Sequence, residues 1–110
     1  MSVRYLAWNK PRLPTEEELK SQLTKEGLKP YIELMERDEA SEVHQHRYDE
    51  TRVLVSGRVE FSAEGRTYSL KPGDRVDLSS NTPHLLKNLE RGQSVMLCAE
   101  KGKVVYVEIY

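Results

Sequence analysis

Residues 42–50 read EVHQHRYDE and hold two of the chain's three histidines, His44 and His46, with Glu50 four positions beyond the second. Side chains alternate along an extended strand, so residues two apart share a face. His44 and His46 are expected to point the same way, with rings that converge on one point. Neutral imidazole suits Fe, Ni, Cu and Zn, and a carboxylate adds a hard oxygen and a negative charge. The intervening RYD reads as a short break that re-aims the strand before Glu50. Two imidazoles and one carboxylate close only part of a coordination sphere. The third histidine, His84 in SSNTPHLLKN (79–88), follows a turn and opens a strand. If that strand lies beside His44 and His46, three rings and Glu50 surround one ion. Four ligands in a six-coordinate site leave two positions for water, substrate or dioxygen. Each piece alone has a plain explanation: an H-x-H pair on the surface, a histidine hydrogen-bonded in a turn, a solvated glutamate. The combination carries the metal reading.

Around this stretch the pattern is one of short strands. YIELMER (31–37), TRVLVSG (51–57), RVEFSA (58–63), RTYSL (66–70), DRVDLS (74–79), LLKNL (85–89), SVMLCA (94–99) and KVVYVEIY (103–110) are rich in β-branched, aromatic and other apolar residues. Turn signals separate them at Ser56-Gly57, Glu64-Gly65, Pro72-Gly73, Asn81-Thr82-Pro83, Arg91-Gly92 and Lys101-Gly102. Many short strands at regular spacing imply an antiparallel sandwich or barrel. RYLAW (4–8) reads as an arm or an edge strand. One helix precedes the strands: Thr15 is a candidate N-cap with Glu18 three residues on, a capping box. Glu16, Glu17 and Glu18 suit the positive end of the helix dipole, Leu19 and Leu23 share a face, and Gly27 ends the segment.

With these residues in view, the chain resembles the cupin family. His44-x-His46-x3-Glu50-x6-Gly57 is similar to the first cupin motif, and Gly73-x5-Ser79-x-Asn81-x2-His84-x3-Asn88 to the second. The resemblance spans about residues 30–110. Three positions depart from it: Asp38 stands where the family has a leading Gly, Ser79 where it has Pro, and Asn81 where it has Gly. Asn best tolerates a left-handed backbone among non-glycine residues, so the second turn is expected to survive. The resemblance implies an all-β fold, an antiparallel jelly-roll barrel with one short N-terminal α-helix. Residues 1–29 would form an arm and helix packed on a barrel of residues 30–110. It implies one divalent transition metal (Fe, Mn, Ni, Zn or Cu) held by His44, His46, Glu50 and His84.

Alternation from Glu50 puts Arg52 and Leu54 on the inner face, and alternation from His84 adds Leu86. Arg52 has a planar fork suited to a substrate carboxylate or phosphate, or it serves as charge partner to an inner Asp or Glu. Leu54 and Leu86 are expected as apolar pocket walls and Tyr48 near the ligands, so these three join Arg52 as candidate substrate-binding residues. Cys98 reads as a small core residue, with no local feature that would activate a thiol. Asn88 reads as a residue of turn and strand geometry.

The 110 residues suit one domain. A net charge of -1 with both signs interspersed shows no footprint for nucleic acid or an acidic membrane. The opening MSVRYLAWNK has no long apolar core, and no apolar run reaches membrane-spanning length. One cysteine fits a reducing compartment, so a cytoplasmic protein is expected. The expected function is a metal-dependent enzyme of dioxygenase or oxidase type acting on a small anionic molecule. Two alternatives stand beside it: a non-catalytic small-molecule-binding or sensor protein, and a cupin isomerase or decarboxylase. Strand edges that need cover suggest a homodimer.

Overall fold

A computed structural model of the chain describes residues 2–101. The strand expected over 103–110 lies outside these residues, as does Gly102. Among the described residues, eight strands and one helix follow in the order β1 (Val3–Leu6), α1 (Glu16–Lys25), β2 (Tyr31–Met35), β3 (Asp49–Ser56), β4 (Val59–Ala63), β5 (Arg66–Leu70), β6 (Arg75–Leu78), β7 (His84–Asn88) and β8 (Ser94–Lys101). Each strand read from the sequence within the described residues forms, with ends shifted by at most two residues. RYLAW contributes β1, an edge strand. All pairings are antiparallel, in a five-stranded sheet β1-β6-β3-β8-β2 and a three-stranded sheet β5-β4-β7. The sheets face each other as an antiparallel jelly roll.

Alternation decides what fills the space between them. Leu54, Val76, Leu78, Met96 and Cys98 from the large sheet meet Val59, Phe61, Ala63, Leu70 and Leu86 from the small one. The opposite face of the large sheet presents Val53, Leu97 and Ala99, and α1 covers it with Leu19 and Leu23. Burial of each leucine stabilises this contact by about 1.5–3 kcal/mol. The helix starts where the capping box predicts. Thr15 Oγ1 accepts from Glu18 N at 3.2 Å, and Glu18 Oε1 accepts from Thr15 N at 2.8 Å. Arg12 holds the same carboxylate through both Nη atoms, at 2.6 and 2.8 Å.

The arm between β1 and α1 is strapped to the end of the fold remote from the histidines. The buried Asp74 carboxylate accepts from Tyr5 Oη and from the backbone N–H groups of Trp8 and Lys71. Trp8 lies directly on Gly73, where a Cβ would meet indole Cγ at 2.5 Å, and φ there is +92°. Glycine is required at this motif position on both counts. Gly57, the last residue of the first motif, has φ +93° and lies against the Ser94 side chain.

Candidate metal centre

The centre lies at the end of the barrel opposite Trp8. Glu50 is the second residue of β3, its side chain inward and 3% exposed, and His84 opens β7, also 3% exposed. His44 and His46 come from the connection between β2 and β3, and here the structure differs from the sequence reading. Residues 41–48 form no continuous strand. The connection touches β7 at two isolated bridges, Ala40 to Lys87 and His44 to His84. Four steps separate the first pair of these residues and three the second, so the ladder slips by one and cannot continue. Convergence of the rings rests on the second bridge instead. His44 N donates to His84 O at 3.0 Å and His84 N to His44 O at 2.9 Å, which ties the two backbones face to face. His46 is fixed by another contact: Asn81 N donates to His46 O at 2.6 Å.

The departures from the cupin motifs find local explanations. Asn81 has φ 60° and Asp38 φ 63°, so both adopt the left-handed backbone that glycine would supply. Ser79, in place of Pro, accepts from Ser2 N through Oγ at 2.7 Å, and its Oγ lies 3.1 Å from Thr82 Oγ1. The hydroxyl thus joins the N-terminal arm to the turn that carries His84.

The three histidines bring one ring nitrogen each to within 4.8 Å of one another. Ring centroids are 4.3 Å apart for His44–His84, 5.0 Å for His44–His46 and 5.4 Å for His46–His84. Two of the rings have their tautomer set by the backbone. His84 Nδ1 lies 2.8 Å from Thr82 O, and His44 Nδ1 lies 2.8 Å from Glu42 O. A carbonyl only accepts, so Nδ1 carries the proton and Nε2 keeps its lone pair for a ligand role. Glu50 completes the cluster from the floor. Its Oε2 is 3.4 Å from His46 Nε2, and its Oε1 is 3.8 Å from His84 Nε2.

Two buried atoms in this cluster have no hydrogen-bond partner among the described residues: Glu50 Oε2 and His84 Nε2. Burial lowers the His84 pKa, against the opposing effects of the Thr82 carbonyl and the Glu50 charge. At neutral pH Nε2 is therefore a bare lone pair facing a carboxylate. Buried acceptors that face each other without a proton between them are costly. A divalent cation satisfies both at once, so the residues present fit a transition metal.

Arg52 and Tyr48 flank the cluster differently. Arg52 is 4% exposed and donates from Nε to Glu50 Oε1 at 2.5 Å. Its Nη1 reaches Glu33 Oε1 at 3.1 Å and Cys98 Sγ at 3.3 Å. Its guanidinium is thus paired with the buried Glu50 and the half-buried Glu33. Tyr48 stacks on His46, with centroids 5.0 Å apart and 12° between planes. Its pKa is raised by burial and by the charges of Glu100 and Glu50, and its hydroxyl pairs with Glu100. Leu54 and Leu86 are buried in the inner core with Phe61, whose ring stacks under His84 at 5.8 Å. The Cys98 thiol is pushed up to about 12 by burial, so it stays protonated. Asn88 sits at the far end, where Nδ2 donates to Met35 O, Glu36 O and Gly92 O. Sequence reasoning missed Glu33 and Glu100. Glu33 carries no motif, but its alternation with Met35 on β2 places it inward.

Residues 31–100 match the family described as Cupin domain. No curated protein sequence matches the chain. Among solved structures, the chain is similar to the DMSP lyase DddQ from Ruegeria pomeroyi DSS-3, with 28% identity and a TM-score of 0.64, over 73% of this chain. It spans 41% of that lyase's length. It is similar to KdgF from a Halomonas species, with 26% identity and a TM-score of 0.61, over 69% of this chain and 71% of that one. A cupin 2 domain-containing protein from Halorhodospira halophila shares the fold, with 18% identity and a TM-score of 0.71, over 94% of this chain and 77% of that one. No helix among the described residues is long and apolar enough to cross a membrane.

Proposed function

Because the chain belongs to the cupin domain family, we propose that it is a metal-dependent enzyme acting on a small anionic molecule, with His44, His46, His84 and Glu50 as the metal ligands. The observation that carries this reading is the pair of orphaned buried atoms, His84 Nε2 and Glu50 Oε2, turned toward one cluster of imidazoles. A bound transition metal supplies Lewis acidity and, if redox-active, access to dioxygen chemistry of the dioxygenase or oxidase type. The chain's own residues do the rest. The Thr82 and Glu42 carbonyls orient two rings, and the Asn81–His46 contact fixes the third residue's backbone. Phe61, Leu54 and Leu86 close the floor and keep water from reaching the ligands from below. Tyr48, stacked on His46 and paired with Glu100, is the group placed to hold or pass a proton beside the ligands.

Similarity to a DMSP lyase at 28% identity favours a second reading, an elimination that uses the metal only as a Lewis acid. The two differ in oxygen demand. Purified protein is stripped by chelation, reloaded with Fe(II), Mn(II), Ni(II), Zn(II) or Cu(II), and offered a panel of small hydroxy acids. Dioxygen consumption marks the first reading, and anaerobic turnover the second. Uptake of one metal equivalent that is lost in His46→Ala supports the site. Stoichiometric metal retained in His46→Ala refutes it. A cytoplasmic homodimer completes the proposal. The outer edge of β2 exposes Tyr31, Ile32 and Leu34, a strand edge that a second copy would cover. Sedimentation at micromolar concentration that gives a monomer would remove that part.

A further inference from the structure

The Glu50 carboxylate is held asymmetrically. Arg52 Nε donates to Oε1 at 2.5 Å, whereas Oε2 has no hydrogen-bond partner among the described residues and faces His46 Nε2 at 3.4 Å. A free carboxylate can bind a metal through one oxygen or both, and the second mode consumes two coordination positions. An oxygen already engaged with a guanidinium is a poorer metal donor, because its lone pairs and charge are partly spent.

Arg52 itself has little freedom to let go. It is 4% exposed, and its cation lies between Glu50 and Glu33 with Cys98 Sγ against Nη1. Leaving this position would strand a buried cation and the buried Glu50 carboxylate at once, and arginine cannot escape by losing its proton. Glu33 sits on β2 and Arg52 on β3, with β8 between them. The clamp is therefore built into the register of three adjacent strands. The side chain is not part of a mobile loop.

We propose that Arg52 is a positioning residue which confines Glu50 to one-oxygen coordination through Oε2, so that a small molecule can bind the metal through two oxygens. The inference rests on the metal site proposed above and deepens it. Four single-atom ligands leave two positions of a six-coordinate ion open, whereas a two-oxygen Glu50 leaves one. The substrate class that follows is a chelator offering two neighbouring oxygens, such as a hydroxy acid or an enediol. A singly bound carboxylate does not use both positions.

The test uses the full chain loaded with Co(II), whose visible absorption reports coordination number, together with acetohydroxamate as a two-oxygen probe. In the crystal structure of the loaded wild type, one Glu50 oxygen is expected at about 2.0–2.2 Å from the metal, and the other on Arg52 Nε. Arg52→Gln should keep one equivalent of Co(II), shift its visible spectrum, and lose at least about tenfold in acetohydroxamate affinity. Arg52→Lys, which retains a donor for Oε1, should recover part of that loss. Should Arg52→Gln fail to fold, Glu33→Gln/Arg52→Gln removes a counter-charge with the cation and carries the same expectation. Wild-type Glu50 bound through both oxygens, or an unchanged acetohydroxamate affinity in the variants, overturns the inference and leaves the metal site standing. A wild type that takes up no Co(II) overturns both.

Discussion

Removal of the metal should lower the stability of this fold by an amount that the orphaned atoms set. In the metal-free protein, His84 Nε2 and Glu50 Oε2 are buried with no hydrogen-bond partner among the described residues. Each unsatisfied buried group costs about 1–3 kcal/mol, with the charged carboxylate toward the upper end. The two together predict that metal binding stabilises the fold by about 2–6 kcal/mol. A domain of about this size shifts by roughly 4–8 °C for each kcal/mol, so the melting temperature should rise by about 10 °C or more. By mass action, free metal at about 100 times Kd contributes about 2.7 kcal/mol, which lies within that range. The assay is thermal unfolding followed by circular dichroism, on chelator-stripped protein before and after one equivalent of metal. His46→Ala, which removes a ligand from a half-exposed position and leaves the orphaned pair in place, should melt near the stripped wild type and gain little from metal. A shift below about 2 °C in wild type shown to hold one equivalent would refute the account. So would an equal shift in His46→Ala, since the stabilisation would then come from metal bound elsewhere.

Gly73→Ala should destabilise the fold by about 1–3 kcal/mol from its left-handed backbone alone. The new methyl also displaces Trp8, so indole fluorescence should change along with the melting temperature. Leu23→Ala should cost about 2–5 kcal/mol in denaturant unfolding, and metal stoichiometry should stay at one, because α1 lies on the opposite face of the large sheet from the histidines. The Arg12 guanidinium and the Thr15 backbone N–H hold the Glu18 carboxyl at about 2, below its ordinary 4.5. A lowered folded-state pKa means that the stabilisation is complete above pH 4.5 and is lost as pH falls through about 2. Arg12→Gln should flatten the stability profile in that window, read by chemical unfolding between pH 2 and pH 6. Metal affinity should fall at low pH as protons compete for the ring nitrogens, and at His84 burial, which lowers the pKa, carries that competition to lower pH.

Much of the architecture is legible because its causes are local. A capping box needs only Thr15 and Glu18, and the helix begins there. Strand alternation needs only a run of residues, so Glu50, Arg52 and Leu54 could be placed inside and Val53 outside from β3 alone. Motif spacing brought His44, His46, Glu50 and His84 together as candidates because the positions of turns and the period of a strand fix which residues can meet.

Other features depend on residues far apart in the chain, which only the tertiary structure brings into contact. His44 and His46 converge without the strand that was expected to carry them. A single bridge to His84, forty residues on, and the Asn81 contact to His46 do that work. The role of Arg52 was open because a guanidinium on an inner face serves an incoming anion or a resident one equally well. The partner that the tertiary structure adds is Glu33 on β2, two strands away across the sheet. The orphaned pair at Glu50 and His84 was likewise hidden, since satisfaction of a polar atom is a property of everything within about 3.5 Å of it and not of its neighbours in sequence. Alternation and spacing name the side chains that face the interior. The register between strands determines which of them pair with each other and which remain for a metal.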